Sequence, residues 1–220
     1  MSDIRVDGYQ SISFWKEESI GIIVLRSDDN SGLDISHISE LVTAVGTAAM
    51  DDSVKAVALT GINMRFATHL NFESDVSQID NMMDYTRALL SLVYTIDKPI
   101  FSILNGNAID VGYEIALLAD VMISSNNIEV GFSPQYTFML GGSITSARFK
   151  DLDRGKPASG VNSDLVYRSE NLLDDAKKYI TEHLLFDYPL VRRRRMISFR
   201  ESLLEEREHF FKRNRFQTPG

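Results

Sequence analysis

The residues best placed to do chemistry are Glu114 and the backbone around it. Glu114 stands alone as a charge within the apolar run Val111–Leu118, three residues after Val111. A helix is expected to open at Asp110–Tyr113, where the first amides have no partner inside the helix and its dipole favours negative charge. A second set of free amides is expected in Phe66–Asn71, a loop that follows the β-branched and apolar run Val54–Thr60. Two backbone N–H groups aimed at one carbonyl oxygen would stabilise the oxyanion that forms when the neighbouring carbon loses a proton. Removing one such donor costs on the order of 3 kcal/mol. A carboxylate beside that oxygen would serve as the acid or base. Glu114 could equally be a solvated or ion-paired helix residue. His69, inside the loop, has a side chain suited to proton transfer, yet a loop histidine with no identified partner can also be structural.

Composition excludes other chemistries. The chain has 220 residues, 44% hydrophobic and 25% charged, which suits one domain, or one domain with a helical appendage. The net charge of -8 disfavours a nucleic-acid surface. A basic run at Arg192, Arg193, Arg194 and Arg195, followed by Lys212, Arg213 and Arg215, could meet an anionic ligand or an acidic neighbouring subunit, or be a solvated helix face. With no cysteine there is no disulfide, thiolate metal site or cysteine nucleophile. No apolar run is long enough to span a membrane. The N-terminus lacks a signal-peptide pattern, so a cytoplasmic location is expected. Histidines and carboxylates show no H-E-x-x-H or H-x-H spacing, and no metal is expected. Glycine-rich dinucleotide, Walker and G-x-S-x-G patterns are also missing.

Positioning falls to alternating strands and helices. Ser11–Lys16 and Ile20–Arg26 read as a hairpin. Asp34 or Ser36 can cap a helix carrying Ile35, Ile38, Leu41, Val42 and Val45. Val54–Thr60 reads as a buried strand, and a helix follows over roughly Ile79–Tyr94. Strand Ile100–Leu104, helix Val111–Leu118 and strand Val121–Ser124 complete the alternation, which predicts crossovers around a largely parallel sheet. A short helix from Gly141 to Phe149, a loop over Lys150–Asn162 and helices over roughly Glu170–Leu184 and Pro189–Arg213 are expected to close the chain.

Three blocks resemble the crotonase, or enoyl-CoA hydratase/isomerase, superfamily. VKAVALTGINMRFATHLNF at Val54–Phe72 resembles the family's V-R-A-V-V-L-T-G…F-S-A-G-A-D-L. DKPIFSILNGNAIDVGYEIALLADVMISS at Asp97–Ser125 resembles D-K-P-V-I-A-A-V-N-G-x-A-x-G-G-G-x-E-L-A-L-A-C-D-x-x-I-A-S, and this block is the most specific. EREHFFKRNRF at Glu206–Phe216 resembles the C-terminal E-G-x-x-A-F-x-E-K-R-x-P-x-F. The resemblance implies the ClpP/crotonase spiral of ββα units, a core over 1–165 and a helical trimerisation region over 166–220. It implies an acyl-CoA ligand, with coenzyme A as part of the substrate and no other cofactor, and a homotrimer or hexamer. It puts the two oxyanion amides on Leu70 and Val111, the catalytic carboxylate on Glu114, and the acyl-CoA contacts on Phe66, Ala67 and Thr68. Lys212 would approach the CoA phosphates.

The chain departs from that pattern in several places. His69 replaces a glycine, and Asp110 and Val111 replace two more; Asp110 is expected to cap the helix. With Pro134 as anchor, Gln135 replaces the second catalytic carboxylate, and an amide cannot exchange a proton near neutral pH. Gln135 could still orient substrate, or face solvent. Roughly twenty residues of the family pattern, including a helix that packs near the acyl pocket, are missing here, where Phe149 leads quickly to Gly160–Val166. Three functions stay open: an enzyme that hydrates, isomerises, hydrolyses or decarboxylates an acyl-CoA, a single-base isomerase or decarboxylase using one carboxylate or His69, and a crotonase-fold binding or assembly subunit without turnover. Asp120, at the closing aspartate of the second block, is expected to be structural.

Overall fold

The structure, a computed structural model, describes residues 4–5, 8–71, 76–134, 136 and 164–183. Its centre is a seven-stranded sheet in the order β1-β2-β3-β5-β7-β9-β11. Strands β1 (Ile4–Arg5), β2 (Ile12–Glu17) and β3 (Ile20–Leu25) pair antiparallel. From β3 onward, β5 (Ala56–Gly61), β7 (Ile100–Leu104), β9 (Val121–Ser125) and β11 (Leu165–Tyr167) run parallel. Parallel neighbours require crossovers. These contain α1 (Ile35–Met50), α2 (Val76–Thr95) and α3 (Val111–Leu117).

Strand periodicity divides the interior. Ile23, Leu25, Val57 and Leu59 face the helices α1 to α3 in one core cluster. Ile20, Ile22, Ala56 and Ala58 point the other way, into a second cluster with Leu172, Ala176 and Ile180. Those three belong to α4 (Leu172–His183), which follows a short 3-10 turn at Ser169–Asn171 and covers that face. Because both faces are covered, β5 and β7 are buried along their whole length.

β3, β5, β7 and β9 are each followed by a two-residue strand turned out of the sheet. β4 (Gly32–Leu33) pairs with β6 (His69–Leu70), and β8 (Ala108–Ile109) pairs with β10 (Val130–Gly131), all parallel. A bridge between Ala67 and Ala108 joins the two pairs into one minor layer. Strand, minor strand, helix therefore recurs three times among the described residues, at β3-β4-α1, β5-β6-α2 and β7-β8-α3, in line with the ββα expectation.

Two residues of the most specific sequence block act as fasteners. Lys98 Nζ donates to the carbonyls of Ala48, Ala49 and Asp51 at 2.7, 2.9 and 2.7 Å, closing the C-terminal end of α1. Asn105 clamps Gly61 from both sides: its Nδ2 donates to the Gly61 carbonyl at 2.7 Å, and its Oδ1 accepts the Gly61 amide at 3.2 Å. Asp34 caps α1 as expected, accepting the Ser36 and His37 amides, and the His37 ring returns a bond to the Asp34 amide at 3.1 Å. The segments 141–163 and 184–220, with the expected short helix, loop and last helix, lie outside the described residues.

Candidate active site

The site is assembled where the minor layer meets the start of α3. Ala67 donates its amide to the Asn107 carbonyl at 3.2 Å, and its own carbonyl accepts the Ile109 amide at 3.0 Å. Thr68 and Asn71 donate their amides to the Ser31 and Leu33 carbonyls at 2.8 and 2.5 Å. The loop at 66–71 is thus stitched to a neighbour on each side.

Helix α3 presses directly on this loop. A Cβ placed on Gly112 would lie 2.0 Å from the Ala67 carbonyl oxygen, so only glycine allows the approach. Val111 immediately precedes that contact and contributes the first turn of the helix. Phe66 and Ala67 are fully buried and support the loop from behind, while Thr68 is half-buried.

Of the three family glycines read as replaced, only one position keeps a glycine-type conformation. His69 lies in β6 and Val111 in α3, neither with positive φ. Asp110 has φ 52° and ψ -113°, a region that L-residues seldom occupy. The expectation that Asp110 caps α3 is corrected here: its side chain makes no capping bond. Its carboxylate instead accepts the Ser133 amide at 2.6 Å and the Ser133 hydroxyl at 2.7 Å. The positive φ turns the side chain from the helix to the loop after β10.

Glu114 is fully buried one turn into α3. Its Oε2 accepts the Tyr136 hydroxyl at 2.8 Å. An aromatic layer covers the pair: Phe132 meets Tyr113 at a ring distance of 4.8 Å and stacks on Tyr136 at 5.7 Å, nearly parallel. The Tyr136 amide donates to the Ser133 carbonyl at 3.1 Å, so the turn that Asp110 grips is the turn that places Tyr136. Burial first, then the Glu114 charge beside it, pushes the Tyr136 phenol well above its ordinary range. The phenol is thus a donor at any physiological pH.

Sequence reasoning missed Tyr136. With Pro134 as anchor, Gln135 took the partner position, and Gln135 is outside the described residues. The available signal was the pair Phe132 and Tyr136 in a short loop beside Gly131.

His69 is exposed, with its Nδ1 3.0 Å from the Thr68 hydroxyl. Beside it, Asp28 accepts the Asn30 and Gly32 amides and the Asn71 side chain. The Gly32 amide, then Asn71, hold the Asp28 carboxyl below its ordinary range, with a smaller contribution from His69. A polar cavity of about 380 Å³ opens nearby between Ser31, Thr68, Asn105 and Asn107, and Glu114 is not in its wall. It offers a ligand hydrogen bonds and no ionisable group. Asp120 is structural: it accepts the Ile100 amide at 2.6 Å and donates its own amide to the Ile100 carbonyl at 2.7 Å. Lys212 lies outside the described residues. Among the described residues no three His, Asp or Glu side chains converge as a metal site requires, and no helix is long and apolar enough to cross a membrane.

A parallel-rich sheet, a minor layer of two-residue strands and a buried glutamate at the third helix together define a crotonase-like protein. The chain belongs to the enoyl-CoA hydratase/isomerase family, whose model matches residues 16–152. It is 25% identical over 135 residues to the enoyl-CoA hydratase ACTT3 of Alternaria alternata, covering 59% of this chain and 44% of that protein. It is 29% identical over 115 residues to the 2,3-dehydroadipyl-CoA hydratase of Escherichia coli (strain K12), covering 51% and 44%. The chain thus spans less than half the length of these curated relatives. The crystal structure of an enoyl-CoA hydratase/isomerase from Mycobacterium paratuberculosis superposes with a TM-score of 0.77 at 15% identity, over 94% of this chain and 93% of that one. This likeness establishes the fold.

Proposed function

We propose that this protein binds an acyl-CoA and acts at the carbon next to the thioester, with Glu114 as acid and base. The Leu70 and Val111 amides are the donors to the thioester oxygen. The observation that carries this reading is the full burial of Glu114 at the start of α3, beside the close approach of Gly112 to Ala67. A carboxylate held away from water on an apolar helix costs free energy unless it is partnered. A buried carboxylate with a specific hydrogen-bond partner is a candidate functional group. Thr68 at the loop, and Lys212 beyond the described residues, are the candidate contacts to the CoA moiety. A homotrimer or hexamer is part of the same reading.

One observation favours a second reading. Tyr136 lies over Glu114, and a carboxylate closed off by the protein's own side chain suits a binding or assembly subunit without turnover. The two separate in one experiment. Calorimetry measures binding of butyryl-CoA, and mass spectrometry follows deuterium uptake at its α-carbon in D₂O, for wild type and Glu114→Gln. Binding with uptake that the substitution abolishes supports the enzyme. Binding with equal, background uptake in both supports the subunit, and no binding removes the acyl-CoA reading.

A further inference from the structure

We propose that the cavity at the corner between the main sheet and the minor layer is a second binding site, built for a neutral, hydroxyl-rich small molecule such as a sugar or polyol. This site goes beyond the acyl-CoA reading and stands without it.

Topology sets the cavity apart from the candidate active site. The minor pairs β4–β6 and β8–β10 are parallel, and so is the bridge between Ala67 and Ala108. All four minor strands therefore run in one direction. Leu70, Val111 and Glu114 lie at or beyond their C-terminal ends. The cavity, of about 380 Å³, is lined by residues that precede them: Asn30 and Ser31 before β4, Thr68 before β6, Asn107 before β8, and Asn127 and Ile128 before β10.

Its wall has hydrogen-bonding capacity that the fold does not use. Ser125, the last residue of β9, belongs to that wall, is only 3% exposed, and takes up no side-chain hydrogen bond among the described residues. A buried hydroxyl without a partner costs free energy, and the cavity is where a partner can enter. The Asn107 carboxamide is pre-set: its Oδ1 accepts the Glu129 amide at 2.9 Å, which leaves Nδ2 to donate elsewhere. Asn30 and Asn127 bring two more carboxamides that make no bond among the described residues. Met64 stands in the same wall with φ 58°, a left-handed backbone that methionine rarely adopts. A Cβ on Gly106 would collide with the Met64 carbonyl, so this turn is pressed against the cavity floor. Strain of this kind persists only where the surroundings impose it, and it clusters at ligand clamps.

The wall also selects the ligand. Hydroxyl groups both donate and accept, which suits carboxamides and hydroxyls converging from several strands. Among the described residues no Lys, Arg, His, Asp or Glu lines the cavity, so nothing there offsets the charge of a phosphate or carboxylate. No aromatic ring is in the described wall to stack on a base. Met64 and Ile128 are its apolar side chains, too few to cover an acyl chain.

The test titrates the full chain with glucose, ribose and myo-inositol, and with adenosine and coenzyme A as contrasting probes, by saturation-transfer NMR. At least one of the three polyhydroxyl probes is expected to bind saturably and to stay bound in excess coenzyme A. Thr68 is common to this wall and to the acyl-CoA reading, which makes that competition decisive. Ser125→Ala and Asn127→Leu should each weaken binding by about fivefold, because each leaves a ligand hydroxyl unpaired. Asn126→Leu, next to the wall but outside it, should leave affinity unchanged. Asn127 is exposed, so its variant serves if Ser125→Ala fails to fold. Binding of none of the three probes would overturn the proposal, as would affinity unchanged in both wall variants. Displacement by coenzyme A would make the cavity part of an acyl-CoA groove, and tighter binding of adenosine would make it a base pocket. Either result overturns the second site and leaves the acyl-CoA reading intact.

Discussion

Asp110 offers a stability measurement in which the usual ranking of alanine over glycine inverts. Two effects oppose each other at this residue. Its carboxylate makes two short bonds to Ser133, and hydrogen bonds to a charged group contribute roughly 1.5–3 kcal/mol each. The site is half-buried, so the lower end applies and the pair contributes about 3 kcal/mol. Against this stands φ 52° with ψ -113°, which costs a non-glycine residue roughly 1–3 kcal/mol. Asp110→Ala loses the bonds and keeps the backbone cost, so it should be destabilised by about 3 kcal/mol. Asp110→Gly loses the same bonds but relieves the backbone by roughly 1–2 kcal/mol, so it should fall by only about 1–2 kcal/mol. Elsewhere glycine is worse than alanine by roughly 0.5–1 kcal/mol. Urea unfolding followed by fluorescence of Trp15, the single tryptophan, provides the midpoints. A glycine variant no more stable than the alanine variant, at equal slope, would show that Asp110 does not hold the strained backbone described.

Other perturbations probe the frame around the site. Gly112→Ala drives a Cβ to 2.0 Å from the Ala67 carbonyl oxygen and must separate α3 from the loop, with an expected loss of roughly 2–3 kcal/mol or more; a melting temperature within a degree of wild type would refute the close approach. Lys98→Met removes a donor from three carbonyls at the end of α1 and should cost about 2 kcal/mol in urea unfolding, where a solvated lysine would cost nothing measurable. Asp28 is held below its ordinary value of 3.8, chiefly by the Gly32 amide and then by Asn71. A depressed folded value means that its contribution is complete above that pH and is lost as pH falls through the lower folded value. Asp28→Asn should therefore be less stable than wild type at neutral pH, and the two stability curves should converge below the ordinary value; parallel curves throughout would count against the Gly32 and Asn71 bonds.

The main sheet was legible because its strands carry their own signal. Ile100–Leu104 is predicted at the observed ends, since both faces of that strand are buried and Pro99 and Asn105 bound it. Helix α2 extends three residues earlier than its expected start at Ile79 and one beyond Tyr94. The two-residue strands at Gly32, His69, Ala108 and Val130 gave no signal, because a pair of residues has no periodicity and their pairing is tertiary. Lys98 and Asn105 were recognised as members of a pattern, yet their bonds to α1 and Gly61 join residues more than forty positions apart.

The site divides along the same line. Glu114, Leu70 and Val111 could be singled out because each belongs to a contiguous block with fixed spacing. Tyr136 could not, because its meaning depends on three residues in two segments. Asp110 looked like a helix cap while read with α3 alone, and Gln135 looked like the lost partner while read with Pro134 alone. Only the turn at Ser133, gripped by one segment and carrying the other's phenol, connects them. A carboxylate entering where glycine is expected would be a pure cost to the backbone unless it gained such a partner. The charged bonds to Ser133 are of the size needed to offset that cost. Substituting Asp110 should therefore disturb Glu114 through Tyr136, although Asp110 itself never touches Glu114's side chain in the described bonds.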